Sequence, residues 1–166
     1  MKRVLTIVLA VIILHGIFPL AYAGQKVFAT WEGFEADKLA SIWLIKRFIA
    51  PDARILIFPK GSQIGEGIQF DTPYSPASRR FNRSTFESLL EHYQIKNSKL
   101  EGIGRLIHDI EINIWGEKVF VKSSELIIRV NDLLEKHKDN EQIISGSMRL
   151  FDDLYSNLPR ELEKSR

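Results

Sequence analysis

The spacing of apolar residues changes several times along the chain, and each change marks an element. Lys26-Val27-Phe28-Ala29-Thr30-Trp31 is a short β-favouring run that Gly33 breaks, which predicts a strand. From Ala36 to Ile49, the residues Leu39, Ile42, Trp43, Ile45, Phe48 and Ile49 surround most of a helical cylinder. That is the pattern of a central helix packed on several sides, and Pro51 ends it. Arg54-Ile55-Leu56-Ile57-Phe58 predicts a second strand closed by Pro59, and Ile68-Gln69-Phe70-Asp71 a short extended piece. Residues 61–67 and 72–83 read as loops, the second with two prolines and no period.

Helical spacing takes over after residue 83. Ser84-Thr85-Phe86-Glu87 is a capping box opening a helix to about Tyr93. Asn97 or Ser98 caps the next, with a stripe of Ile103, Leu106, Ile107, Ile110 and Ile114. Ser123 or Ser124 caps a third, carrying Leu126, Ile127, Val130, Leu133 and Leu134. Asp139 or Asn140 caps a last one with Ile144, Met148, Phe151 and Tyr155, and a charged tail after Pro159 is expected to fray. The order predicts an α+β fold: a small two- or three-stranded sheet with a predominantly helical half of about five helices. No internal repeat divides residues 24–166, which read as one domain.

The first 23 residues have a different character. Lys2 and Arg3 precede an apolar run from Val4 to Leu20, and Ala21-Tyr22-Ala23 is a small-residue cleavage signal. This is the layout of a secretory signal peptide, with the mature chain expected to start at Gly24 in the periplasm. His15, Gly16 and Pro19 break the run short of a spanning helix, so no stable membrane insertion is expected after cleavage.

Export alters the charge balance. Of 23 Lys+Arg against 21 Asp+Glu, Lys2 and Arg3 leave with the leader, and the remainder is formally neutral. No nucleic-acid partner is expected on bulk charge. The chain has no cysteine, so packing alone must stabilise it and any metal must use His, Asp or Glu.

Outside the leader the histidines are His92, His108 and His137. His108 lies on an otherwise apolar helix with Glu111 three residues on, so the two share a face. They suit half of a metal site, an acid/base pair, or a hydrogen-bonded pair at the edge of the core. Glu87 has a structural role as the acid of its capping box, which stabilises a helix by about 0.5–2 kcal/mol. Arg79, Arg80 and Arg83 cluster just before a helix N-terminus, where they would attract an anion or simply be solvated. Asp37 complements the dipole of the central helix. Leu100-Glu101-Gly102-Ile103-Gly104 weakly matches a DNA-binding hairpin. Gly104 reads better as clearance for a neighbouring element or for a ligand beside His108.

Taken together, several segments resemble the C-terminal domain of the chromate-resistance ChrB family. They are Asp37-Lys38-Leu39-Ala40-Ser41-Ile42-Trp43-Leu44-Ile45-Lys46-Arg47-Phe48-Ile49, then Phe70-Asp71, Thr85-Phe86-Glu87 with Leu89-Leu90, Ile107-His108-Asp109-Ile110-Glu111, and Phe151-Asp152-Asp153-Leu154-Tyr155. The resemblance implies a role in chromate or metal-stress resistance and a metal-binding core built from the T-F-E carboxylate and the His-Asp-x-acid helix. Where the family often reads H-H-G-D-R-C, this chain has Arg79-Arg80-Phe81-Asn82-Arg83-Ser84, so imidazole and thiol become guanidinium and hydroxyl.

The resulting expectation is an exported domain that binds one divalent metal ion (iron, manganese or zinc), or less readily a small oxyanion. Glu87, His108 and Glu111 would be the ligands, with Asp37, Arg80 and Arg83 as second shell or anion-binding rim. The alternatives are a non-catalytic periplasmic sensor or interaction domain without metal, and a redox-defence metalloenzyme.

Overall fold

Three short strands in the first half pair in one direction. The computed structural model describes residues 24–163; the predicted leader lies outside the described residues. Strands β1 (Val27–Trp31), β2 (Arg54–Phe58) and β3 (Ile68–Gln69) form a parallel sheet in the order β2-β1-β3, with Phe28 opposite both Ile55 and Ile68. Parallel neighbours cannot be joined by a tight turn and need a crossover. Helix α1 (Ala36–Leu44) supplies it between β1 and β2. β1 is the middle strand, and its Phe28, Ala29 and Thr30 are fully buried.

All nine residues of α1 are buried, as its all-round apolar pattern predicts. The α-helix stops earlier than predicted. Ile45–Ile49 form one π-helical turn, closed by Ala50 N–H donating to the Ile45 carbonyl at 2.8 Å. Trp43 packs against Phe48, Phe151 and Tyr155, and its indole N–H donates to Asp152 Oδ1 at 2.8 Å. Arg47 grips both oxygens of Asp152 at 2.8–2.9 Å. The two most distant family-like segments are thus one packed unit, and Trp43 is core.

The helical half comprises α2 (Thr85–His92), α3 (Ser98–Glu111), α4 (Val121–Lys136), α5 (Asn140–Ser156) and α6 (Arg160–Glu163). The α+β expectation holds. Asn97 caps α3 and Asp139 caps α5, as predicted. For α4 the predicted serine caps are wrong. The helix starts at Val121, and the acceptor for the entering chain is the buried Asp109 carboxylate on α3, which takes the Val119 and Phe120 N–H groups at 3.0 and 3.1 Å. A cap supplied from another helix leaves no local motif.

Residues 100–104 lie inside α3, as the predicted cap at Asn97 or Ser98 implies. A further expectation is corrected. The tail after Pro159 does not fray over its next residues: α6 returns to α3 and buries Leu162. Among the described residues no helix is long and apolar enough to cross a membrane.

The clearance assigned to Gly104 belongs to Gly102. A Cβ at Gly102 would stand 2.4 Å from the Leu162 carbonyl oxygen, whereas one at Gly104 would meet Glu87 Cγ at an ordinary 3.5 Å. Gly102→Ala should therefore destabilise the fold by about 1–3 kcal/mol through overpacking. Gly104→Ala should be neutral or gain up to about 1 kcal/mol from helix propensity. Chemical denaturation of both variants checks this, and equal losses would contradict it.

Candidate functional site

The site is organised by the N-terminus of α2. Ser84 caps it, and the capping box is complete: Ser84 Oγ accepts from Glu87 N–H, and Glu87 Oε2 accepts from Ser84 N–H at 2.8 Å. The next two amides point at a different acid. Thr85 and Phe86 N–H donate to the two oxygens of Asp37 at 2.7 and 2.8 Å. Asp37 is fully buried at the start of α1, so one carboxylate joins two helices. Burial pushes its carboxyl up to about 7, against the opposing pull of the two amides and Arg79. Its role is larger than complementing the dipole of its own helix; it serves the α2 N-terminus.

Glu87 and His108 meet across α2 and α3. His108 Nδ1 lies 3.2 and 3.1 Å from the two Glu87 oxygens. An ionised carboxylate only accepts, so the bond places the ring proton on Nδ1. Both side chains are part-exposed and border a cavity of about 550 Å³ shared with Arg105, Asn113 and Phe120. Asp109, between His108 and Ile110, turns the other way to cap α4, and its hydrogen bonds hold its carboxyl below the usual range despite burial.

Glu111 shares the α3 face but has another partner. Arg79 Nη2 donates to Glu111 Oε2 at 2.6 Å and to Glu35 Oε1 at 2.8 Å, and lies 3.7 Å from Asp37 Oδ2. Burial and the nearby Glu111 raise the Glu35 carboxyl above its ordinary value, with Arg79 opposing. Beside this cluster Lys38 is buried and donates to the Trp31 and Gly33 carbonyls, each at 2.8 Å, with Asp71 Oδ2 at 3.4 Å. Asp71 Oδ1 accepts from Thr85 Oγ at 2.6 Å, and its backbone takes a left-handed φ of +52°.

An open cleft of about 540 Å³, bordered by Trp31, Phe34, Glu35, Lys38, Asp71 and Arg79, lies here. It sits where the chain leaves the carboxyl ends of β1 and β3, the usual place for a ligand on a parallel sheet. Lys38 and Asp71 lie in the family-like segments but had no role assigned from sequence, and Glu35 was not singled out at all. The available signal was their place just beyond strand ends.

The three neighbouring arginines do not converge. Arg79 is held in the carboxylate cluster, Arg83 pairs with Glu91, and Arg80 donates to the Pro76 carbonyl. Of the predicted residues, Glu87 and His108 come together, Asp37 and Glu111 share Arg79, and Arg80 and Arg83 remain at the surface loop. Among the described residues no group of three His, Asp or Glu side chains is arranged to hold a metal ion.

Comparison with known proteins bears on this geometry. A family model described as "ChrB, C-terminal domain" matches residues 28–158. The chain belongs to the ChrB C-terminal domain family. That span takes in both the Asp37–Arg79–Glu111 cluster and the Glu87–His108 pair, and membership ties the domain to chromate resistance at the level of the family. The chain is similar to Protein ChrB of Cupriavidus metallidurans, 30% identical over 96 residues. The match covers 57% of this chain but only 29% of that protein's length. No solved structure matches the chain at a significant level.

The raised Asp37 carboxyl has a sign that can be tested. Its folded pKa of about 7 exceeds the ordinary 3.8, so the native state holds the proton longer than the unfolded chain. Its contribution to stability is full below about pH 4 and is lost as pH rises through 7. The stability advantage of wild type over Asp37→Asn should therefore narrow between pH 4 and pH 7. Thermal unfolding of both proteins across that range measures it, and a constant difference would contradict the assignment.

Proposed function

We propose that this domain contributes to chromate or metal-stress resistance by binding one divalent metal ion, iron, manganese or zinc, at the Glu87–His108 pair. The observation that carries the reading is the approach of His108 Nδ1 to within 3.1–3.2 Å of both Glu87 oxygens beside an open cavity. Two donors sharing one ion at about 2.1 Å each stand roughly 3.0–3.4 Å apart, so the pair needs little movement to exchange its proton for a metal. Glu87 Oε1 has no other protein partner, whereas Oε2 is also held by Ser84. One oxygen thus keeps the cap while the other is free to bind. The donor set fits a hard or borderline divalent ion.

Glu111, one turn along the same face, would join only on leaving Arg79; otherwise water completes the shell. When bound, such an ion supplies Lewis acidity at the cavity wall. The protein's part is to hold Glu87 through the α2 cap, so that its other oxygen faces His108 Nδ1. The leader-like segment at residues 1–23 supports action after export, in the periplasm.

A second reading is favoured by the complete capping box. Glu87 already has a structural role through Ser84, and its bond to His108 then serves only to pack α2 on α3 within a non-catalytic sensor or interaction domain. Metal analysis of the purified protein separates the two. The metal reading expects one ion per chain, falling to background in Glu87→Ala and in His108→Ala while both variants stay folded. Absence of stoichiometric metal after loading, or metal that survives the double replacement, would sink it.

A further inference from the structure

The cavity beside the Glu87–His108 pair is lined by two kinds of group. Most of its polar lining is already matched within the protein. Asp109 accepts from the Val119 and Phe120 amides and from Asn113, whose side-chain amide also donates to the Glu117 carbonyl. Arg105 is the exception. It lies three residues before His108, on the same face of α3, and borders the same cavity. A guanidinium has five N–H donors. Among the described residues Arg105 uses only Nη2, which donates to the Leu162 carbonyl, and its Nε and Nη1 have no protein partner. The rest of the lining is apolar: Val119 and Phe120, with Val119 64% exposed.

We propose that this cavity receives a small organic acid, its carboxylate shared between Arg105 and the ion held at Glu87–His108, its apolar body against Val119 and Phe120. The inference rests on the metal reading of that pair and names the class of ligand the site takes. A planar guanidinium matches a carboxylate better than any other side chain does. A pair of protein donors leaves positions open on the ion for a ligand oxygen. Size decides against a bare inorganic anion. The cavity holds about 550 Å³, within the range of about 300–1,000 Å³ typical of sites for organic molecules. A bare anion would leave Val119 and Phe120 in water, and a purely apolar ligand would leave the Arg105 donors without an acceptor. An acid with a ring or short branched chain satisfies both parts of the lining.

The test is calorimetric titration of Zn²⁺-loaded protein with benzoate, acetate and sulfate, with the metal content of each sample measured alongside. Benzoate should bind at least tenfold more tightly than acetate or sulfate. Arg105→Gln should weaken benzoate at least tenfold while the zinc content stays at the wild-type level. Arg105 also holds α6 through the Leu162 carbonyl, so Arg105→Lys provides a second variant that keeps the charge and can keep that bond. It lacks the fork and should weaken benzoate at least threefold. Val119→Ser should narrow the gap between benzoate and acetate. Loaded wild-type protein that ignores benzoate, or binds it no better than acetate, overturns the proposal and leaves the metal reading standing. Sulfate binding as tight as benzoate also overturns it, because the cavity then takes a bare anion. Unchanged benzoate affinity in either folded arginine variant does the same. Protein that takes up none of zinc, manganese or iron removes the metal reading and this proposal together.

Discussion

The buried bond from Asp37 to the N-terminus of α2 is the constraint on which the rest of the site depends. A fully buried carboxylate is costly unless its oxygens are paired, and the Thr85 and Phe86 amides pair them. A helix N-terminus is the cheapest place to find such amides, because its first N–H groups have no partner within the helix. The bond fixes α2 on α1. It thereby sets Glu87, the next residue, over Gly104 of α3, and His108 one turn further along α3 meets it. The other side of the same carboxylate faces Arg79, which gathers Glu35 and Glu111. Two clusters of opposite design therefore share one anchor: a carboxylate–imidazole pair open to a cavity, and a carboxylate cage closed by an arginine.

In this arrangement two of the three loop arginines are matched by acids rather than gathered for an anion. Adjacent arginines in sequence suggest an anion-attracting rim, but adjacency in a loop does not survive folding. Arg79 is drawn in by acids, Arg83 by Glu91, and Arg80 is left at the surface. The cleft at the carboxyl ends of the parallel strands is bordered by Glu35 and Asp71 as well as by Lys38 and Arg79. Lys38 has no capacity left for an incoming anion, with its ammonium bound to two carbonyls and Asp71.

Much of the fold was legible because it rests on local rules. Apolar spacing located α1, α3 and the strands, and the caps at Ser84, Asn97 and Asp139 worked as their sequences imply. What could not be read was supplied from a distance. The cap of α4 comes from Asp109 on another helix, and α6 holds because Gly102 admits the Leu162 backbone. The candidate site divides in the same way. The meeting of Glu87 and His108 is what the family resemblance implies, whereas helix spacing alone sets Glu111, not Glu87, beside His108. The capture of Glu111 by Arg79 joins residues 32 positions apart from a loop without period, and no sequence pattern announces it. Asp37 was visible as an acid in a first helical turn, but the helix it serves is α2, 48 residues on.

Whether the Glu87–His108 pair holds a metal is the centre of the account. The most direct measurement is a crystal structure of metal-loaded protein with anomalous diffraction recorded at the absorption edge of the ion. The account predicts one anomalous peak between Glu87 and His108, with both side chains moved onto it and Arg79 still bound to Glu35. An anomalous map without a peak there, with His108 Nδ1 still bonded to Glu87 at full loading, would contradict it.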